Sequence, residues 1–523
     1  MFDKIFKSIR FWAKKLVFSL LSALSHIMLM FIYWGKGKTV PPVTNDLLLM
    51  SATRVAEKIR NGLLKSEDVV LAYIERIIEV ETDINAVAEY RFQEAIKEAK
   101  EIDAHIKSGK YTREQLKEEK PLLGVPFTVK VLLNVKGVPN TGGSLMYKDS
   151  PSATTDAPTV ALMKFAGAIV LATSNSAELG LGFDTINLLY GKTCNPYDTN
   201  RTAGGSSGGE SALIGAAASV MGLGNDLFGS VRLPAHFTGI YSHKPSRGLV
   251  PNGGCIINPT EETSKFLETG PMCRYVEDLV PIMKILATNS TEKREIERKI
   301  DLKKLKIFYQ VNIDDPTLMR VDKEIVTAIK TAIDHFFTEH GVAADEVNVK
   351  LLKLTSTISI PLLFSDVPNI IQYVSQGKIN SINGILELVK FAFGKTKISL
   401  GTIIASGFEK YLSDRDKIHL HKNLLQRLEE DFENILDENS VFFCPTLPFS
   451  APRHYAMVTN VLNTAYVGVF NLLGFPATQC PLGLNHAGLP HGMQIIARKN
   501  NDALTLACAK ELDKVFGGWI PPS

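Results

Sequence analysis

The stretch Gly204–Ser211, GGSSGGES, sets two adjacent serines between paired glycines, and a further serine closes Asp226-Leu-Phe-Gly-Ser230. Glycine reaches positive φ and leaves backbone N–H groups uncovered, which suits a turn that must approach and stabilise an anion. A serine hydroxyl is a weak nucleophile until a base takes its proton. The eleven histidines supply no convincing base: His236 and His243 lie nearby, and neither is paired with a marked acid. Lys130 is the other option, because it ends an apolar strand, where desolvation disfavours the ammonium. As a base it needs a pKa brought down from about 10.4 to roughly 7–8. Strand-end lysines are usually just solvated, so spacing alone does not single it out.

Other uses of the glycine-rich stretch fit worse. A flexible linker would not run on into ALIGAAASVMGLG (Ala212–Gly224), whose small residues suit a closely packed helix. No Lys-Ser/Thr follows the glycines as a phosphate loop requires, GxGxxG is absent, and Ser230 is not in GxSxG. The helix expected after Ser211 would bring the two serine turns together at one end.

The elements that must position these residues alternate in type. Pro121–Leu133 and Ala166–Asn175 read as buried strands, and Leu47–Asn61, Ser66–Thr82 and Ala86–Ser108 as amphipathic helices. Leu305–Val311 reads as a strand, Lys323–His340 as a helix, Phe442–Phe449 and Ala477–Leu484 as late strands, and Leu504–Phe516 as a closing helix. This alternation indicates an α/β sheet. Ile379–Tyr411 reads as a helical insert, unusually apolar for a surface. With no repeat or second linker, 47–523 reads as one large domain.

Composition limits the function classes. The chain has 523 residues, 45% of them apolar, a net charge of +3, and scattered Lys and Arg. That is globular and offers no nucleic-acid surface. Leu16–Trp34 is nineteen residues without a formal charge, framed by Lys14, Lys15, Lys36 and Lys38 and ending in Tyr33 and Trp34. It predicts a transmembrane anchor, retained because no small-residue cleavage site follows. The expected division is a basic segment 1–15, the anchor 16–34, a linker 35–46 and the domain. The greater basic charge before the anchor points to a cytosolic N-terminus and a lumenal domain. Six sparse cysteines without a CxxC pair suggest no metal site. Asn200 and Asn289 head glycosylation sequons.

GVPFTVK (Gly124–Lys130), AGGSSGGES (Ala203–Ser211), GNDLFGSVRLPA (Gly224–Ala235) and HKPSRGLVP (His243–Pro251) together resemble the amidase signature family. GPMCR (Gly270–Arg274), GFPATQCPLG (Gly474–Gly483) and GLPHGMQIIA (Gly488–Ala497) continue the match in order. The resemblance implies that family's fold, a large mixed central sheet flanked by helices. It also implies a Ser–cis-Ser–Lys triad with Lys130 as base, Ser206 as bridge and Ser230 as nucleophile. Backbone N–H groups of Leu227, Phe228, Gly229 and Ser230 would hold the oxyanion, and no metal or organic cofactor is implied. With the anchor included, the chain is most similar to membrane-anchored fatty-acid amide hydrolases of the type-two branch. That implies a lipid amide substrate, a bilayer partner and an endomembrane location (endoplasmic reticulum or lipid droplet), with a homodimer left open.

The chain also departs from the family pattern. Phe228 stands where the family has a glycine, Asn225 where Ser or Thr is common, and Val131 where many relatives have an acid. If position 228 needs positive φ, a phenylalanine there costs about 1–2 kcal/mol, and its ring would narrow the acyl pocket. Two further functions follow as alternatives: a lipid-binding relative with impaired turnover, and an amidase for small polar amides. Asp226 and Arg232 are expected to hold the loop by charge-assisted hydrogen bonds. The insert near Ile382–Ile404 resembles in placement a hydrophobic cap that meets the bilayer, although periodicity alone does not separate that from core.

Overall fold

The computed structural model describes residues 23–256, 260–315, 317–363, 365, 369–407 and 417–523. Its frame is an eleven-stranded sheet. In chain order the strands are β1 (Val87–Tyr90), β2 (Pro126–Lys130), β3 (Ile169–Ser174), β4 (Met221–Asp226), β5 (Tyr241–Lys244) and β6 (Glu268–Cys273). They continue with β7 (Lys306–Tyr309), β8 (Ala344–Glu346), β9 (Ser440–Pro445), β10 (Ala477–Leu484) and β11 (Pro490–Ala497). Across the sheet the order is β1-β3-β2-β4-β6-β5-β10-β11-β9-β7-β8. The sheet is mixed: β2 runs parallel to both β3 and β4, β6 antiparallel to β4, and β7 parallel to β9 and β8. Both β2 and β4 are buried along their whole length, with no alternation of buried and exposed residues.

Helices Ser66–Ile84, Lys323–His340 and Asp502–Phe516 each bury an apolar stripe against this frame. Three expected elements differ. Leu47–Asn61 is a 3₁₀ turn (Asp46–Leu49) followed by helix Ala52–Arg60, because Ser51 breaks the run and accepts a capping bond from the Arg54 N–H. Ala86–Ser108 opens as β1, whose residues complete the sheet edge against β3, and turns helical only at Phe92. The run after the glycines is not one helix: α1 (Gly208–Gly215) stops after eight residues and the chain returns as β4. The small residues serve the approach of α1 to β4. A Cβ on Gly222 would lie 1.8 Å from Glu210 Oε2, and one on Gly224 2.9 Å from Ser207 Oγ.

Later elements bear on the site: α2 (Arg232–Thr238), α3 (Gly384–Ala392), α4 (Leu400–Gly407) and α5 (Ala465–Leu473). The insert forms the helical pair α3–α4. Ile398 and Ile403 are buried with Ile370, Ile371, Val374 and Leu179, whereas Ile385 and Phe393 on the α3 side are 78% and 74% exposed. Residues 408–416 lie outside the described residues.

Of the expected anchor, residues 16–22 lie outside the described residues, as does all of 1–15. Residues 23–32 are helical, with Leu24, Ile27, Met28, Phe31 and Ile32 exposed. Among the described residues no helix is long and apolar enough to cross a membrane. Part of the expected linker is docked on the domain: Gly37 N–H donates to Asp198 (2.7 Å), Val40 N–H to Pro196 O (3.1 Å), and Arg76 to Pro41 O (2.6 Å).

Candidate active site

Lys130 is the last residue of β2 and Asn225 the penultimate residue of β4, so two parallel strands deliver them to the same carboxyl edge. That edge is where open α/β sheets place their ligands. The lysine side chain is fully buried. Its Nζ lies 2.7 Å from Ser206 Oγ, 2.6 Å from Asn225 Oδ1 and 3.4 Å from Asn225 O. Burial pushes its pKa down to about 7, against the upward pull of Asp226, Cys255 and Glu210. Burial also pushes Glu210 up to about 8, with Thr128 Oγ1 donating to it at 2.7 Å. Near neutral pH the floor of the site therefore favours a free amine over a protonated carboxyl, not an ion pair.

The glycines explain how Ser206 reaches that amine. The Gly205–Ser206 peptide bond is cis and Gly204 has φ +85°. A Cβ on Gly204 would meet Pro234 Cα at 2.8 Å, one on Gly205 Phe183 C at 2.8 Å, and one on Gly209 Asn175 O at 2.3 Å. No larger side chain fits between these walls. Thr185 clamps the loop, donating to Gly204 O and accepting from Gly208 N–H, both at 2.9 Å. Ser207 N–H donates to Ser230 O at 3.2 Å, which stitches the two serine turns together.

The second turn is held by charge. Arg232 and Asp226 are both fully buried, with Nε 3.1 Å from Oδ2. Burial alone would raise the Asp226 carboxyl, but Arg232 and the Gly229 N–H hold it at about 2. Asn471 on α5 donates to Asp226 and accepts from Arg232. Of the four N–H groups expected to face an oxyanion, that of Gly229 is already taken by Asp226 Oδ1 at 2.6 Å. Those of Leu227, Phe228 and Ser230 have no partner among the described residues. Phe228 does not carry the strain expected of it. The positive φ falls on Gly229 (+101°), and the Phe228 ring packs among Phe266, Ile358, Leu362, Leu363 and Leu472. Gly468 on α5 makes room for that ring, since a Cβ there would sit 1.9 Å from Phe228 Cε2.

Comparison with known proteins gives the family of this chain. The family model described as Amidase matches residues 68–506. The chain belongs to the amidase family. It is 40% identical to fatty-acid amide hydrolase 2 of Homo sapiens over 93% of this chain and 92% of that one. Against fatty-acid amide hydrolase 2-B of Danio rerio it is also 40% identical, over 93% of each chain. A solved structure titled "Fatty acid amide hydrolase" superposes with a TM-score of 0.73 at 20% identity, over 91% of this chain and 86% of that one, a likeness of fold.

In this amidase Ser206 and Ser230 line one cavity together with Asn225 and Cys255, and its other walls are largely apolar: Leu132, Leu179, Leu227, Ile256, Leu267 and Ile370 among them. Ser206 and Ser230 are 2% and 6% exposed. The cavity is about 110 Å³, below the range of about 300–1,000 Å³ usual for ligand pockets. Phe228 does not itself line the cavity; its ring packs in one cluster with Leu227 and Leu363, which do.

His243 does have an acid partner, contrary to the sequence reading. Its Nε2 lies 3.0 Å from Asp502 Oδ1 and its Nδ1 2.9 Å from Thr478 Oγ1. All three are buried, none lines the cavity, and the group ties β5 and β10 to the last helix. His236 is buried against Phe449 O. Two residues beside the site escaped the sequence reading in function. Asn225 was legible only as a departure from pattern, and Glu178, which accepts from Ser144 Oγ, Ser399 N–H and Thr402 Oγ1, left no signal because its partners lie far along the chain.

Proposed function

We propose that this amidase hydrolyses long-chain fatty-acid amides at a membrane surface, through a Lys130–Ser206–Ser230 relay. The observation that carries this reading is the 2.7 Å contact between a buried amine, pushed down to about 7, and a serine that shares an apolar cavity with Ser230. Neutral Lys130 takes the Ser206 proton as Ser206 takes that of Ser230. Ser230 Oγ then attacks the amide carbonyl, and the tetrahedral intermediate expels the amine. The proton returns from Lys130 through Ser206 to that amine, leaving an acyl-enzyme on Ser230. Water activated by the same relay cleaves the ester and restores Ser230. N–H groups of Leu227, Phe228 and Ser230 are the donors left for the oxyanion, each worth about 3–4 kcal/mol where such donors have been removed.

The apolar lining and the similarity to fatty-acid amide hydrolases support the lipid substrate, and the exposed apolar face of α3 supports bilayer contact. Long acyl chains require the cavity walls to open. The cavity size favours a second reading, an amidase for small amides. Turnover of oleamide against acetamide-sized substrates separates the two: the proposal expects oleamide to win by at least about 100-fold in kcat/KM. A fluorophosphonate probe is expected to label Ser230, and a folded protein that stays unlabelled would overturn the relay. That Phe228 is accommodated without positive φ supports turnover over the alternative of a lipid-binding relative with impaired turnover.

A further inference from the structure

We infer that Asn225 is a positioning residue that aims the lone pair of Lys130 at Ser206; the inference rests on the relay proposed above. A neutral amine has two N–H donors and one lone pair, disposed tetrahedrally. Three oxygens surround Lys130 Nζ: Ser206 Oγ at 2.7 Å, Asn225 Oδ1 at 2.6 Å and Asn225 O at 3.4 Å. Both Asn225 oxygens are carbonyl oxygens and only accept, so each faces an N–H. The remaining tetrahedral position, the lone pair, falls to Ser206, the one neighbour among the described residues able to donate a proton.

The amide itself is oriented. Asn225 Nδ2 points to Cys255 Sγ at 3.9 Å, which keeps Oδ1 on the lysine. The reversed amide would set N–H against N–H. A serine or threonine at this position behaves differently, because a hydroxyl both donates and accepts. Its O–H competes with Ser206 for the lone pair, and the amine then has two ways to sit, only one of them productive. An asparagine admits one. The other ionisable groups acting on the amine are Asp226, held by Arg232, the Cys255 thiol and Glu210. None of these is a donor or acceptor within hydrogen-bond reach of Nζ among the described residues, so orientation falls to Asn225 and burial sets the charge state.

The test uses the full chain and three variants, Asn225→Leu, Asn225→Asp and Asn225→Thr, with kcat, KM and the pH profile read on oleamide and folding followed by thermal unfolding. Asn225→Leu keeps the volume and removes the acceptor; kcat is expected to fall about 10- to 100-fold with KM within about two-fold. Asn225→Asp keeps an acceptor and adds a charge that favours the ammonium, so its acid limb is expected to move up by about one pH unit or more, with the rate regained on the alkaline side. Asn225→Thr is expected to regain part of what Leu loses. A folded Asn225→Leu protein with wild-type kcat overturns the inference, as does a loss that neither Asp nor Thr recovers, which marks a structural role. Lys130→Ala is run alongside. If it abolishes turnover while Asn225→Leu matches wild type, the relay stands and this inference alone falls; if it leaves turnover intact, both fall.

Discussion

Lys130 has no solvent around it and a serine 2.7 Å away, so its protonation state decides when the site works. Its pKa is lowered from 10.5 to about 7, so the base is present above about pH 7 and lost below it. The kcat of oleamide hydrolysis is expected to rise with pH to a plateau, with a midpoint near 7, and Lys130→Met to lose about 10²- to 10⁴-fold. Stability has the same sign: between about 7 and 10.5 the unfolded chain holds a proton that the folded one does not, so the cost of burying this lysine, full below about pH 7, is relieved as pH rises to about 10.5. Lys130→Met is therefore expected to raise the melting temperature more at pH 6 than at pH 10, a difference calorimetry reads. The Phe228–Gly468 pair makes a separate prediction. Gly468→Ala drives a methyl into the Phe228 ring and is expected to cost about 1–3 kcal/mol in denaturant unfolding, and Phe228→Leu in the same chain to restore part of it. At this scale Lys130, Ser206 and Ser230 were legible through their motifs. Gly468 was not, because its reason lies 240 residues away in a ring it must clear.

Among the elements, α4 is tied to the cavity wall by a buried carboxylate as well as by packing. Glu178 is buried beside Leu179 and Gly180, which line the cavity, and it takes the Ser399 N–H and Thr402 Oγ1 at the start of α4, both at 2.8 Å, with Ser144 Oγ at 2.7 Å. Glu178→Ala leaves these donors unpaired, a loss of about 1–3 kcal/mol locally. Amide exchange across Leu400–Gly407 is expected to quicken by at least about ten-fold, and an unchanged exchange pattern would show that other contacts hold the helix. Helix Lys323–His340, and the helical character of the described part of the insert in α3 and α4, were legible in the sequence. The strands β1 and β4 were not, since VAEY and MGLGND carry no strand pattern of their own and take their form from neighbours in the sheet.

Over the whole molecule, the segment between Leu181 and Lys192 meets α4 at one end and the N-terminal helix at the other. Gly401 on α4 sits so close to Leu181 that a Cβ would be 2.4 Å from its carbonyl, while Lys192 Nζ stacks 4.9 Å from the Tyr33 ring at the end of the N-terminal helix. The exposed apolar faces of that helix and of α3 are each expected to meet the bilayer that the proposed function calls for. Ile385→Ser with Phe393→Ser, or removal of residues 1–34, is expected to weaken co-sedimentation with phosphatidylcholine vesicles, and the combination to abolish it, since each large apolar side chain returned to water loses about 1.5–3 kcal/mol. Full vesicle binding by the combined variant would refute a bilayer role for these surfaces.

Read on its own, the chain determined the residue types of the site, the α/β class and the family, because glycine-flanked serines, buried strand runs and ordered motifs are local properties of sequence. It left three matters to the tertiary structure: which N–H groups remain free for an anion, what surrounds the lysine amine, and where the Phe228 ring goes. Each depends on groups brought together from distant segments. Asp226 takes one donor, Asn225 fills two sides of the amine, and α5 opens a space for the ring. Hydrogen-bond partners and packing volumes are properties of the folded neighbourhood, and no spacing along the chain encodes them.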